Sequence, residues 1–275
     1  MKSLLLAGVT ALAVSPAMAE GDVERGEYLV QTVMGCGNCH TPIGPAGFDM
    51  ANDLTGRVVE DSVAFTAIAP NITPASRIAD WTDAELAKAI REGVRPDGTI
   101  IGPPMPFAAY RAISDEDLSS IVAYLRTVPA IESDPGTSTY NIPLPPAYGP
   151  PVQTVSAPEP GETVEYGAYL AALGHCMECH SPMTPTGPDW GAGFARGGFE
   201  FHGPWGTSIA PNLTNHPAGL ADYSDAEVKQ MITGTRPDGS PMLPPMPYVY
   251  FDKMTERDMN ALVLYLRSIP GAPDA

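Results

Sequence analysis

Apolar residues recur at helical spacing near the end of each half of the chain. Leu118, Ile121, Val122 and Leu125 fall at i, i+3, i+4 and i+7, and Met259, Leu262, Val263 and Leu266 repeat that stripe, so helices are predicted over 114–128 and 255–269. Ser114 with Asp117 makes a capping-box-like start, and Pro129 and Pro270 end the two helices. A middle helix begins at Thr82 with Glu85 three residues on, and again at Ser224 with Glu227; its apolar face carries Leu86 and Ile90, then Val228 and Ile232. Earlier helices over 23–34 and 164–173 run straight into short cysteine motifs. No stretch alternates with period two, so the pattern predicts an all-α class.

These pairs belong to a duplication with an offset near 141 residues. Tyr28-Leu29 returns as Tyr169-Leu170, the run from Ala69 to Thr73 as Ala210 to Thr214, Arg95-Pro96-Asp97-Gly98 as Arg236-Pro237-Asp238-Gly239, and Pro103 to Pro106 as Pro244 to Pro247. Two tandem domains are therefore expected, 20–132 and 162–275. The intervening 133–161 holds eight prolines and reads as a stiff, extended linker. Residues 1–19 read as a secretory leader: Lys2, an apolar run of eleven residues from Leu4, and Ala17-Met18-Ala19 as cleavage site, too short for the ~20 residues of a spanning helix. The expected location is the periplasm, with no membrane span in the mature chain.

Composition changes this picture in two ways. Hydrophobic residues at 44% suffice for a core in each half, while 31 prolines and 27 glycines demand long ordered loops that helix packing alone does not organise. A net charge of −17 and the absence of a basic patch exclude a nucleic-acid role.

The loops find their organiser in Cys36-Gly37-Asn38-Cys39-His40 and Cys176-Met177-Glu178-Cys179-His180. Both are C-x-x-C-H, the attachment motif of covalent c-type haem, so two covalently bound haem c groups are expected. Two thiols on one helical turn reach the two vinyl groups of one porphyrin, and the next residue offers an imidazole to the iron. A thioredoxin-like pair would need a βαβ context, and zinc or a disulfide leaves the trailing histidines without a role.

The duplication selects the sixth ligand. Met105 and Met246, each within Pro-Pro-Met-Pro, lie 65 and 66 residues after their histidines, and flanking prolines hold a thioether at low entropic cost. The metal ligands expected are thus His40, Met105, His180 and Met246. Met242, Met183 and Met254 face isoleucines in the other copy and read as core gap-fillers. His175, His202 and His216 lack counterparts and read as surface or propionate-contact residues. Arg95 and Arg236, in type I turn signals, are candidates for pairing haem propionates or for plain exposed turns. Asn71 and Asn212, in Ala-Pro-Asn-x-Thr, read as haem-contacting loop residues although they formally match glycosylation acceptors. Trp81, replaced by Tyr223 in the second copy, reads as a core aromatic.

The Ala-Pro-Asn-Ile-Thr, Asp-Ala-Glu-Leu and Pro-Pro-Met-Pro strings, with the Tyr-Leu-Arg helix after them, resemble the cytochrome c subunits of periplasmic dehydrogenases, those of quinoprotein alcohol dehydrogenase and gluconate dehydrogenase among them. The resemblance implies the small cytochrome c fold in each half, His/Met axial ligation, and electron relay from a dehydrogenase to an oxidase or another cytochrome. Those subunits often carry three haem motifs where this chain has two. A carrier without substrate turnover is the leading expectation. A di-haem peroxidase would need one open iron, which symmetric methionine loops argue against, and a thiosulfate-oxidising enzyme would need a further cysteine.

Overall fold

The computed structural model describes residues 20–45, 47–185 and 187–275; the leader expected over 1–19 lies outside the described residues. In the N-terminal half, α1 (Val23–Tyr28) is capped by Asp22, which accepts from Arg25 N at 3.1 Å, and widens into a π-helical turn over Leu29–Val33. There follow α2 (Gly37–His40), the small antiparallel pair β1 (Ile43–Gly44) and β2 (Gly47–Phe48), and the hairpin β3 (Arg57–Asp61) and β4 (Phe65–Ala69). Then come α3 (Asp83–Glu92), α4 (Phe107–Tyr110) and α5 (Asp115–Thr127). Thr82 and Glu85 cap α3 with a complete capping box. Ser114 accepts from Asp117 N at the start of α5, but the Asp117 carboxylate does not turn back: it is claimed by Arg25 and Tyr169, which compete better for a buried charge.

The C-terminal half repeats the plan. After the linker, whose strand β5 (Thr139–Tyr140) pairs with β4 of the N-terminal half, it runs through α6 (Val164–Leu173), α7 (Cys176–Cys179), and the pairs β6 (Met183–Thr184) with β7 (Gly187–Pro188) and β8 (Glu200–Gly203) with β9 (Gly206–Ile209). Helices α8 (Asp225–Ile232), α9 (Tyr248–Phe251) and α10 (Glu256–Ser268) complete it. The all-α expectation therefore holds only in part. The helices carry both cores, yet each half inserts antiparallel pairs between its cysteine motif and its Ala-Pro-Asn segment. Those strands are short and largely exposed, so no period-two burial pattern marked them.

The two halves pack as a pseudo-dimer. Leu29, Val30 and Val33 share one core cluster with Tyr166, Leu170 and Leu173, so the first helices of both halves bury their apolar faces against each other. The polar contacts are reciprocal, as an isologous interface requires. Tyr28 donates to Asp258 Oδ2 at 2.9 Å and accepts from Thr255 N at 3.2 Å; Tyr169 donates to Asp117 Oδ2 at 2.7 Å and accepts from Ser114 N at 3.1 Å. Each tyrosine thereby ties its own helix to the capped start of the other half's last helix. Asp117 and Asp258 are buried, so Tyr28→Phe or Tyr169→Phe removes a donor that neither carboxylate can replace with water. Each is expected to cost about 1–3 kcal/mol in urea unfolding of the haem-loaded protein, with both haem spectra unchanged.

The linker lies along the N-terminal half. Ser133 donates to Thr55 O at 2.5 Å, Tyr140 to Pro103 O at 2.8 Å and Tyr148 to Ile101 O at 2.8 Å, while the Tyr148 ring packs on Phe107 with centroids 4.8 Å apart. Proline-rich chain is thus used as a strap over the loop that carries Met105. Among the described residues no helix is long and apolar enough to cross a membrane.

Candidate functional site

Each cysteine motif is a single helical turn held by the segment that follows it. The His40 carbonyl accepts from Gly56 N at 2.6 Å and the His180 carbonyl from Gly197 N at 2.8 Å. These glycines have φ of +91° and +71°, and a Cβ on either would meet the carbonyl oxygen of Ala69 or Ala210 at 2.5 Å, so no other residue fits. Thr41 and Ser181, directly after the histidines, bind the same returning segment: Leu54 N donates to Thr41 Oγ1 at 3.2 Å and Ala195 N to Ser181 Oγ at 3.1 Å.

The imidazoles are fixed from behind. His40 Nδ1 donates to Pro70 O and His180 Nδ1 to Pro211 O, both at 2.8 Å. That contact sets the tautomer and leaves Nε2 with its lone pair free. Burial holds the pKa of both imidazoles below the usual value, so they are neutral, as a ligand must be. Asn71 and Asn212 follow the two accepting prolines and explain the repeated Ala-Pro-Asn. Asn71 donates to Ile131 O at 2.7 Å and accepts from Thr73 N at 2.8 Å; Asn212 donates to Ala272 O and accepts from Thr214 N, both at 2.8 Å. They clamp the loop that presents the carbonyl to the chain leaving the last helix.

The four cysteines are unbridged and half-buried. Burial pushes Cys36, Cys176 and Cys179 up to about 12 and raises Cys39, so all four are neutral thiols. A redox-active C-x-x-C has a depressed thiol pKa, the opposite of the direction found here. Among the described residues no three histidine, cysteine or acidic side chains converge on one point. Two neutral thiols on one turn beside an imidazole with a free Nε2 fit a covalent haem. Met105 and Cys36 pack against the N-terminal core cluster, Met246 and Cys176 against the C-terminal one, and each methionine's carbonyl accepts from a backbone N–H two residues on at 2.9 Å.

The pseudo-dimer places the two motifs against each other. Asn38 Nδ2 donates to Pro245 O at 3.4 Å, in the methionine loop of the other half. A Cβ on Gly37 would meet the Tyr250 hydroxyl at 2.3 Å, and one on Gly35 would touch Pro247 at 3.4 Å. From the other side, the Tyr110 ring stands edge-on to His175, centroids 6.1 Å apart, next to Cys176. Burial lowers the His175 pKa to about 4, which makes it a neutral interface residue.

The remaining candidates are placed elsewhere. Arg95 donates to Thr99 Oγ1 at 3.2 Å and Ile100 O at 2.9 Å, and Arg236 donates to Pro241 O, so both guanidiniums close their own turns. His202 is exposed beside Glu200, and His216 Nδ1 accepts from Ala218 N at 3.1 Å. Met254 packs between both cores, but Met183 is 48% exposed on β6 and fills no core. Trp81 packs on the N-terminal core, whereas Tyr223 is 39% exposed. The repeated Tyr-Leu-Arg is explained by Arg126, which binds Trp81 O at 2.6 Å and Asp83 at 3.0 Å, and by Arg267, which binds Leu220 O at 2.6 Å and Asp225 at 2.8 Å.

Residues 21–125 match the family described as cytochrome c oxidase, cbb3-type, subunit III, and residues 164–270 match the cytochrome c family. The chain is 29% identical to the fructose dehydrogenase cytochrome subunit of Gluconobacter japonicus, over 99% of this chain and 58% of that protein. It is 30% identical to the cytochrome c subunit of alcohol dehydrogenase (quinone) from Gluconacetobacter polyoxogenes, over 98% and 60%. A diheme cytochrome c-type protein of Cereibacter sphaeroides is 29% identical over 91% of this chain and 86% of its own length. The chain thus spans about three fifths of the two dehydrogenase subunits, 58% and 60%, and most of the diheme protein. Two tandem cytochrome c domains, each with one covalently bound haem c, place this chain in the c-type cytochromes.

Proposed function

We propose that the protein is a periplasmic di-haem electron carrier, with a dehydrogenase as donor and an oxidase or another cytochrome as acceptor. Its units are 20–132 and 162–275, each organised by helices around one haem, and 133–161 is the strap between them. Cys36 and Cys39 would form the thioethers of the N-terminal haem, and His40 and Met105 would ligate its iron; Cys176, Cys179, His180 and Met246 would do the same in the C-terminal half. When bound, the haem supplies a reversible one-electron iron couple. The protein's own residues do the rest: Pro70 and Pro211 orient the imidazoles, the proline-flanked loops present the thioethers of methionine, and the packed cores exclude water. A histidine and a methionine on each iron would leave no open position, which would separate a carrier from a peroxidase-type enzyme.

The carrying observation is the buried imidazole locked by a proline carbonyl directly after a pair of half-buried thiols, repeated in both halves. Relatives named as cytochrome subunits of fructose and alcohol dehydrogenases support a dehydrogenase as donor. The facing motifs support transfer between the two haems inside one packed unit. Protein exported from a bacterium with cytochrome c maturation is expected to retain two haems per chain by mass after denaturation, and to take up two electrons reversibly. A denatured chain without haem, or with its cysteines free or disulfide-bonded, would overturn the reading.

A further inference from the structure

The two sites differ in charge at one equivalent position. Gly56 and Gly197 hold the same place, each donating to the carbonyl of its histidine, and the residue after them is Arg57 in one half and Gly198 in the other. Arg57 pairs with Ala69 in the hairpin, and Gly198 N donates to Ala210 O at 2.9 Å, so the register is the same. The Arg57 guanidinium folds back onto the cysteine motif. Its Nη2 donates to Asn38 O at 2.7 Å, its Nη1 to Val58 O at 2.9 Å, and its Nε is buried without a hydrogen-bond partner. Among the described residues no carboxylate forms an ion pair with it.

That uncompensated charge sits on the backbone of the N-terminal motif itself, at Asn38, between Cys36 and Cys39 and two residues before His40. The Asp53 carboxylate, four residues earlier in the chain, is bound by Gln31 at 2.7 Å and Thr41 at 2.5 Å. In the C-terminal half the equivalent residue, Gly198, has no side chain, so no cation is placed on the backbone of that motif from this position. A fixed cation beside an iron ligand favours the reduced, less positive state of the centre, and burial limits its screening by solvent.

Building on the di-haem carrier reading, we infer that Arg57 makes the N-terminal haem site the higher-potential one, so that electrons entering at the C-terminal site settle at the N-terminal site and leave from there. In that step one electron passes from ferrous to ferric iron; no bond forms or breaks and no proton moves. The dehydrogenase and the acceptor cytochrome or oxidase of that reading supply and remove it.

Spectroelectrochemical titration of the full-length, haem-loaded protein tests the assignment. The unaltered protein should give two resolved midpoints. Arg57→Gly and Arg57→Gln should lower the upper one, leave the lower in place and narrow the gap, whereas Arg57→Lys, which keeps the charge without the fork, should hold the upper midpoint near its starting value. Movement of the lower midpoint alone, no movement of either, or an Arg57→Lys shift as large as that of Arg57→Gln would each overturn the inference. Two haems by mass with one shared midpoint would overturn it too while leaving the carrier reading intact; fewer than two haems in the unaltered protein would overturn that reading itself.

Discussion

Met105→Ala and Met246→Ala are each expected to strip the sulfur ligand from one haem and leave the other untouched. The two loops are equivalent in sequence and structure, each with its methionine packed on its own domain's core and its carbonyl closing the same turn. Loss of the thioether should abolish the far-red sulfur-to-iron band of one haem, open that iron to water or added ligands, and lower its potential. The drop should be a sizeable part of the about 0.8 V range that axial ligation spans. The two losses should be additive, since the ligands lie in separate cores. Met254→Ala is the control: it removes a side chain shared by both clusters, so it should cost stability and spare both spectra. If Met105→Ala left both haems spectrally unchanged, the ligand would have to be sought elsewhere, although His202 and His216 are poor substitutes, held as they are by Glu200 and by a local backbone N–H.

Much of this architecture is written locally and could be read from the chain. The capping boxes at Thr82–Glu85 and Ser224–Glu227 are three-residue signals and formed as expected, because the partners are neighbours in sequence. The cysteine motifs are likewise local, and the duplication turned one domain's pattern into a test of the other's. What escaped reading depends on contacts between distant residues. Tyr28 and Tyr169 were visible as a repeat, but their function as reciprocal ties joins residues 230 and 52 positions apart, a separation no periodicity encodes. Pro70 and Pro211 were quoted within a repeat, yet nothing in the string says that their carbonyls face the histidines. The same holds for the strap: proline content announced stiffness, while the hydroxyls of Tyr140 and Tyr148 decide where it lies. Asn71 and Asn212 were singled out as loop residues, but their part as clamps behind the accepting carbonyl joins them to chain about 60 residues away. Arg95 and Arg236 drew notice because they repeat. Arg57 drew none, because nothing in the string says that its guanidinium folds back onto the cysteine motif.

The largest loss of stability is expected from two of the smallest changes, Gly26→Ala and Gly167→Ala. These glycines occupy equivalent places where α1 crosses α5 and α6 crosses α10. Ordinarily alanine would strengthen a helix over glycine by about 1 kcal/mol. Here the space is already taken: a Cβ at Gly26 would stand 1.9 Å from Ser120 O and 2.6 Å from its carbonyl carbon, and a Cβ at Gly167 would meet Ala261 O and its carbon at the same two distances. The obstructing atoms are backbone, so no rotamer change relieves them. The helices must move apart by more than an ångström, and that motion opens the cores packed beneath. Overpacking typically costs about 1–3 kcal/mol, and an immovable carbonyl puts these sites at or beyond the top of that range, well above the propensity gain. Gly44→Ala serves as a reference, since a Cβ there meets nothing within 4 Å. In urea titrations followed by haem absorbance, Gly26→Ala should lower the midpoint chiefly of the N-terminal half and Gly167→Ala that of the C-terminal half. Some loss should appear in both, because Leu29 and Val33 share a core cluster with Leu170 and Leu173. A rise in either midpoint would mean that helix propensity outweighs the contact, and that the close crossing does not hold the two last helices in place.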